Sequence, residues 1–107
     1  YTKRAKLSEV LVIAGKDKTS VSEYYMSTGS MPSNTDEAGI NATSNSVHIT
    51  GVTFTTTATT ATVTYAINTT TIDTGNVVFT GTGSGNGMAW DCTGSTLAAK
   101  YLPANCR

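Results

Sequence analysis

Residues 2–28 read TKRAKLSEVLVIAGKDKTSVSEYYMST, and this stretch decides the fold. Leu7, Val10, Leu11, Ala14, Val21, Tyr24 and Tyr25 recur at i, i+3, i+4 and i+7 offsets, which places them on one side of a helix. Gly29 follows the last periodic residue and Pro32 stands three positions further on, a stop signal. At 1.5 Å per residue the helix is about 40 Å long, well beyond the usual three turns of a globular helix. The run Val10-Leu11-Val12-Ile13-Ala14 is apolar all the way round, so a single packed face does not account for it. Lys3, Arg4 and Lys6 also carry the wrong sign for the positive end of a helix dipole. Thr2 is a fair cap, but Ala5 stands where a capping box wants Glu or Gln. These features lead us to expect a helix that begins upstream of Tyr1.

Outward from the helix, 107 residues suffice for one domain with one modest core. Net charge is zero and only 13% of residues are charged, which argues against general nucleic-acid binding and against an electrostatic membrane binder. About a fifth of the chain is Thr, concentrated after His48, a composition that favours strands. No apolar run reaches the ~18 residues needed to span a bilayer.

The chain divides into a helix (1–28), a connecting loop (29–46), a sheet (47–91) and a terminal segment (92–106). The loop is rich in Ser, Asn, Thr and Gly. Asn34, Asp36, Glu37 and Asn41 could offer oxygen ligands to calcium, but no EF-hand spacing is present, and a polar surface loop is the simpler reading. Asn41-Ala42-Thr43 and Asn68-Thr69-Thr70 match the N-glycan acceptor pattern.

From Val47 the period becomes two. Val47 and Ile49 alternate, Gly51 interrupts as a bulge would, and Val52 and Phe54 resume on the shifted register. Thr55–Thr60 forms a turn. Ala61, Val63, Tyr65 and Ile67 mark a half-buried strand, Val77–Thr80 a third strand and Met88–Cys92 a fourth. Short links favour antiparallel neighbours, giving an α+β fold in which a four-stranded sheet lays its apolar face on the helix.

Chemistry is sparse. His48, between Val47 and Ile49, is expected to point outward, and no triad or metal set assembles around it. Gly81–Gly87 lacks the Lys of a P-loop and runs into a strand, so it reads as a flexible hairpin loop. Tyr24, Tyr25, Tyr65 and Trp90 read as core or core edge. Cys92 and Cys106 bracket the terminal segment without other zinc ligands. Buried free thiols or a disulfide both fit. The bond is expected because it pins a loose terminus, is worth roughly 3 kcal/mol for a loop of this size, and implies an oxidising compartment.

Three motifs carry a resemblance. Tyr1-Thr2-Lys3-Arg4-Ala5-Lys6 leading into an apolar helix resembles the junction between the membrane and globular halves of the first helix in type IVa pilins. Gly29-Ser30-Met31-Pro32-Ser33-Asn34 resembles their helix exit. Trp90-Asp91-Cys92 through Tyr101-Leu102-Pro103-Ala104-Asn105-Cys106 resembles their C-terminal disulfide loop, that of gamma-proteobacterial major pilins above all. The family's methylated N-terminal Phe, helix glutamate and apolar half-helix have no counterpart here, so the resemblance implies an N-terminally truncated chain.

The resemblance implies the type IV pilin fold and a structural, non-enzymatic role without cofactor or metal. The filament would serve twitching motility, surface attachment and biofilm formation, and DNA uptake. Implied partners are identical subunits, the assembly machinery and, through the missing half-helix, the inner membrane. Val12 and Ile13 would form the assembly face. Thr93, Ser95, Lys100, Tyr101 and Asn105 would be the candidates for contact with host glycans or surfaces. A minor or DNA-binding pilin of the same fold is the runner-up; it needs a basic, aromatic-lined surface, for which Lys100 and Arg107 are a poor start. A secreted binding module or enzyme is more remote, for want of a catalytic set.

Overall fold

A computed structural model describes residues 2–43 and 46–107. Tyr1, which opens the basic motif, and Ser44 and Asn45 in the connecting loop lie outside the described residues. The molecule measures 40 × 26 × 18 Å, and its long axis matches the length of the first helix.

Helix α1 spans Thr2–Thr28. It ends where Gly29 takes a left-handed φ of 78° and returns its N–H to the Tyr25 carbonyl at 2.8 Å. That conformation is costly for a residue with a Cβ, which explains the glycine. Helix α2, Thr35–Ala38, is a single turn capped by Asn34, whose side chain accepts from the Glu37 N–H at 2.9 Å. Strands β1 (Ile49–Thr56), β2 (Thr60–Ile67), β3 (Asn76–Ser84) and β4 (Gly87–Asp91) form one antiparallel sheet in the order β1-β2-β3-β4. The β1–β2 register shifts between Ile49 and Gly51, where the sequence suggests a bulge. Two short 3-10 turns, Ala99–Tyr101 and Ala104–Cys106, close the chain.

Strand alternation sends Ala61, Val63, Tyr65 and Ile67 of β2 and Val77 and Phe79 of β3 into the core, where they meet Leu7, Val10, Ala14 and Val21 of α1. Burial of each large aliphatic side chain is worth roughly 1.5–3 kcal/mol. Tyr65 and Phe79 meet edge to face, with ring centroids 6.3 Å apart. The α+β architecture expected from the change of period is therefore the one observed.

Three expectations need correction. His48 does not point outward: it is 9% exposed, whereas Val47 is 73% exposed. The strand begins only at Ile49, after a turn in which the Ile49 N–H bonds the Ser46 carbonyl, so strand alternation does not apply at Val47 and His48. The glycine run is not a loop over its whole length either. Gly81 and Gly83 belong to β3, and only the Ser84–Gly87 link turns. A Cβ on Gly81 would meet the Trp90 ring at 2.9 Å, and one on Gly83 would meet the Tyr25 ring at 2.5 Å. These glycines are absent side chains that make room for two aromatic rings. Finally, the connecting segment is not wholly a surface loop: Met31, Pro32, Ala38 and Ile40 are buried, and Asp36 and Glu37 sit in α2.

Candidate assembly and surface-binding faces

Val12 lies on the outer side of α1. The residues that face the sheet, Leu7, Val10, Ala14, Asp17 and Val21, are buried, and the 100° rotation per residue sends Val12 away from them. Val12 is 74% exposed. Ile13, the second candidate, is partly buried and packs against the core. The two are thus separated by the fold: Val12 stands in solvent and Ile13 forms the flank of the subunit's own core. Further along the helix, Gly15, Lys18, Thr19, Ser22, Glu23 and Met26 border an open groove of about 500 Å³ closed on one side by Trp90. Trp90 is held there by its indole N–H, which donates to Ser22 Oγ at 3.0 Å. Lys18 reaches over the Phe79 ring, 4.5 Å from its centroid.

Two polar clusters tie α1 to the rest of the fold, one to β2 and one to the segments flanking the sheet. Tyr65 Oη donates to Asp17 Oδ2 at 2.5 Å, deep between helix and β2. Burial pushes the Asp17 carboxyl above the ordinary carboxylate value, opposed by the Tyr65 hydrogen bond and by Lys16. The second cluster centres on His48. Its Nε2 lies 3.2 Å from Glu9 Oε2 and its Nδ1 lies 2.9 Å from Thr71 Oγ1. Ser46 Oγ donates to the other Glu9 oxygen, and Lys6 Nζ donates to the Thr71 carbonyl. Neither cluster is announced by the sequence. An Asp opposite an inward Tyr 48 positions away is visible only once the helix is laid on the sheet.

The terminal segment is closed by the Cys92–Cys106 disulfide, both residues 2% exposed. Leu97 and Leu102 plug the loop into the core. Of the candidate contact residues, Thr93, Lys100 and Asn105 are exposed. The Thr93 hydroxyl donates to Asp91 Oδ2 at 2.7 Å. Ser95 instead fastens the loop: its hydroxyl accepts from the Val78 N–H at 2.9 Å and donates to the Cys92 carbonyl at 2.8 Å. Tyr101 is half-buried, with the Lys3 and Lys100 ammonium groups 5.8 and 5.2 Å from its ring centroid.

In the connecting segment, Glu37 accepts from the Ser33 N–H and the Tyr24 hydroxyl, which hold its carboxyl below the ordinary value. Burial first, and the neighbouring Glu37 second, push the Tyr24 phenol up. Asn41 accepts from both the N–H and the hydroxyl of Thr43, while the Asn68 amide is tied to the Val47 carbonyl. Among the described residues no helix is long and apolar enough to cross a membrane.

A long helix laid across a four-stranded antiparallel meander, with a disulfide-closed terminus, is the α+β fold of the type IV pilins. The comparisons agree. The pilin family, described as bacterial filament pilin, matches residues 3–107. The chain is 33% identical over 111 residues to the fimbrial protein EcpC of Eikenella corrodens, covering all of this chain and 72% of that protein. It is 45% identical over 40 residues to a fimbrial protein of Neisseria meningitidis, covering 37% of this chain and 24% of that one. It is 42% identical over 40 residues to the type IV major pilin protein PilE1 of Neisseria gonorrhoeae, again covering 37% of this chain and 24% of the relative. The chain belongs to the pilin family, a family of structural rather than catalytic proteins.

Proposed function

We propose that this chain is the repeating structural subunit of a type IV pilus, an extracellular bacterial filament serving twitching motility, surface attachment, biofilm formation and DNA uptake. The family supports the filament role, and the fimbrial proteins it resembles carry the same assignment in their names. One structural observation carries the reading furthest: Val12 stands 74% exposed in the middle of the apolar run of a 27-residue helix. A monomer gains nothing by exposing it, whereas a neighbouring subunit would bury it. A contact between two different surfaces of identical copies does not close on itself and generates a helical array.

On this reading the helix continues upstream into an apolar half that holds the subunit in the inner membrane before the assembly machinery extracts it. The connecting segment and the disulfide loop form the outer surface of the filament, where Thr93, Lys100, Tyr101 and Asn105 are placed for contact with host glycans or other surfaces. Substituting Val12 with Asp in the full-length subunit, and weighing sheared pili against whole-cell subunit, tests the assignment.

A further inference from the structure

The chain's net charge of zero conceals a separation of charge. Lys3, Arg4 and Lys6 lie in the first two turns of α1. The terminal segment folds back to the same end. There the Lys3 and Lys100 ammonium groups both approach the Tyr101 ring, and the Arg107 Nε donates to the Ala99 and Leu102 carbonyls, both at 3.1 Å. Five of the seven basic residues thus converge on one end of the molecule from two segments a hundred positions apart. Lys3, Arg4, Lys100 and Arg107 are exposed. Lys6 and Arg107 are fixed by backbone carbonyls rather than carboxylates. Among the described residues the one ion pair is His48 with Glu9, so none of these five cations is neutralised by a carboxylate within 4.0 Å. Glu9, on the turn after Lys6, is taken up by His48 and Ser46, and Asp91, beside the disulfide, accepts from the Thr93 hydroxyl. Glu23, Asp36 and Glu37 lie at the opposite end, in the last turns of α1 and in α2.

We propose that this basic end is a docking collar for an anionic phospholipid surface, which it faces while the subunit is held in the membrane. The proposal rests on the reading above, in which α1 continues upstream into the bilayer. On that reading the first turn of α1 is the part of the domain nearest the bilayer, and the acidic end points away from it. Lysine and arginine held near an anionic bilayer each add to the attraction, and the field fades within a Debye length. Tyr101, with an apolar ring and a polar tip, suits the headgroup layer. The collar would orient the domain and would have to be released when a subunit leaves for the filament.

The test uses the chain from Tyr1 to Arg107 in co-sedimentation with two kinds of vesicle at low ionic strength: phosphatidylcholine alone, and phosphatidylcholine with about one third phosphatidylglycerol. The expected result is binding to the anionic vesicles only, lost on raising salt. The double variant Lys3→Gln/Lys100→Gln, which removes no hydrogen bond described above, should bind roughly twenty-five-fold more weakly, about fivefold per cation. Lys16→Gln/Lys18→Gln, with the same net charge, should bind within about twofold of the parent. Equal binding to both vesicles, no binding to either, or equal weakening by the two double variants would overturn the proposal. So would tighter binding to a duplex oligonucleotide than to anionic vesicles, which would assign the collar to nucleic acid. Salt-sensitive self-association without vesicles, abolished by Lys3→Gln/Lys100→Gln, would assign it to the acidic end of a second copy and overturn the lipid assignment. Each of these failures leaves the filament reading standing, since that is judged by pili.

Discussion

Tyr65 on β2 donates its hydroxyl to Asp17 on α1, and the two are 0% and 4% exposed. A carboxyl group between a helix and an apolar sheet face is costly unless it is bonded, and Tyr65 is the partner that keeps it there. Removing the hydroxyl leaves a buried acceptor without a donor. Tyr65→Phe should therefore cost about 1–3 kcal/mol in urea unfolding, more than a neutral hydrogen bond on the surface. An unchanged midpoint would mean that water or rearrangement satisfies Asp17.

The same pair sets a pH dependence. The folded-state pKa of Asp17 is raised, chiefly by burial, above its ordinary 3.8. A raised pKa means that the folded state holds the proton more tightly than the unfolded chain. The stabilising contribution is fully present below the unfolded value and is lost as pH rises through the folded value. The stability of the parent relative to Asp17→Asn should thus fall as pH is raised from below the ordinary carboxylate value to neutrality. A difference that stays flat across that window would contradict the assignment. Glu37, whose pKa is lowered, acts in the opposite sense, which is why the comparison is made against the variant rather than on the parent alone.

Gly83 lies under Tyr25 and Gly81 under Trp90. Gly83→Ala should destabilise by roughly 1–3 kcal/mol through overpacking, despite alanine's lower backbone entropy cost. Gly85→Ala, in the adjoining turn with open space around it, should be close to neutral. Thermal unfolding of the two variants side by side checks this. If both are equally tolerated, the Tyr25 ring moves aside and the close approach does not matter.

Reduction of Cys92–Cys106 should loosen the terminal segment that Leu97, Leu102 and Ser95 fasten to β3. Cys92→Ser should cost about 2–5 kcal/mol. Identical unfolding curves with and without reductant would show that these contacts hold the segment without the bond.

The long helix, the sheet and the pairing of the two cysteines were legible in the sequence, because periodicity and bracketing are local signals. What was not legible depends on layers meeting. The burial of His48 follows from Glu9 and Thr71 reaching it from two other elements, and the turn at Ser46–Ile49 hides it from a strand-period reading. The glycines of β3 look like a loop until the rings that lie over them are known. Asp17 looks like one more polar helix residue until β2 brings Tyr65 opposite. Val12 and Ile13, adjacent in an apolar run, could be told apart only by fixing the helix's rotation on the sheet.

That separation gives the central claim its sharpest test. Val12→Asp and Ile13→Asp should behave differently in two assays: thermal unfolding of the 107-residue chain and recovery of sheared pili from cells making the full-length subunit. Val12→Asp places a charge on an exposed position, so the isolated domain should unfold within about 0.5 kcal/mol of the parent, while pili are lost because the charge would be buried unpaired between subunits. Ile13→Asp should destabilise the domain itself. The sheared-pili yield of the full-length Val12→Asp subunit is the most direct single measurement. Few or no pili from a normally folded subunit are expected, and wild-type yield would contradict the role of Val12 in the filament.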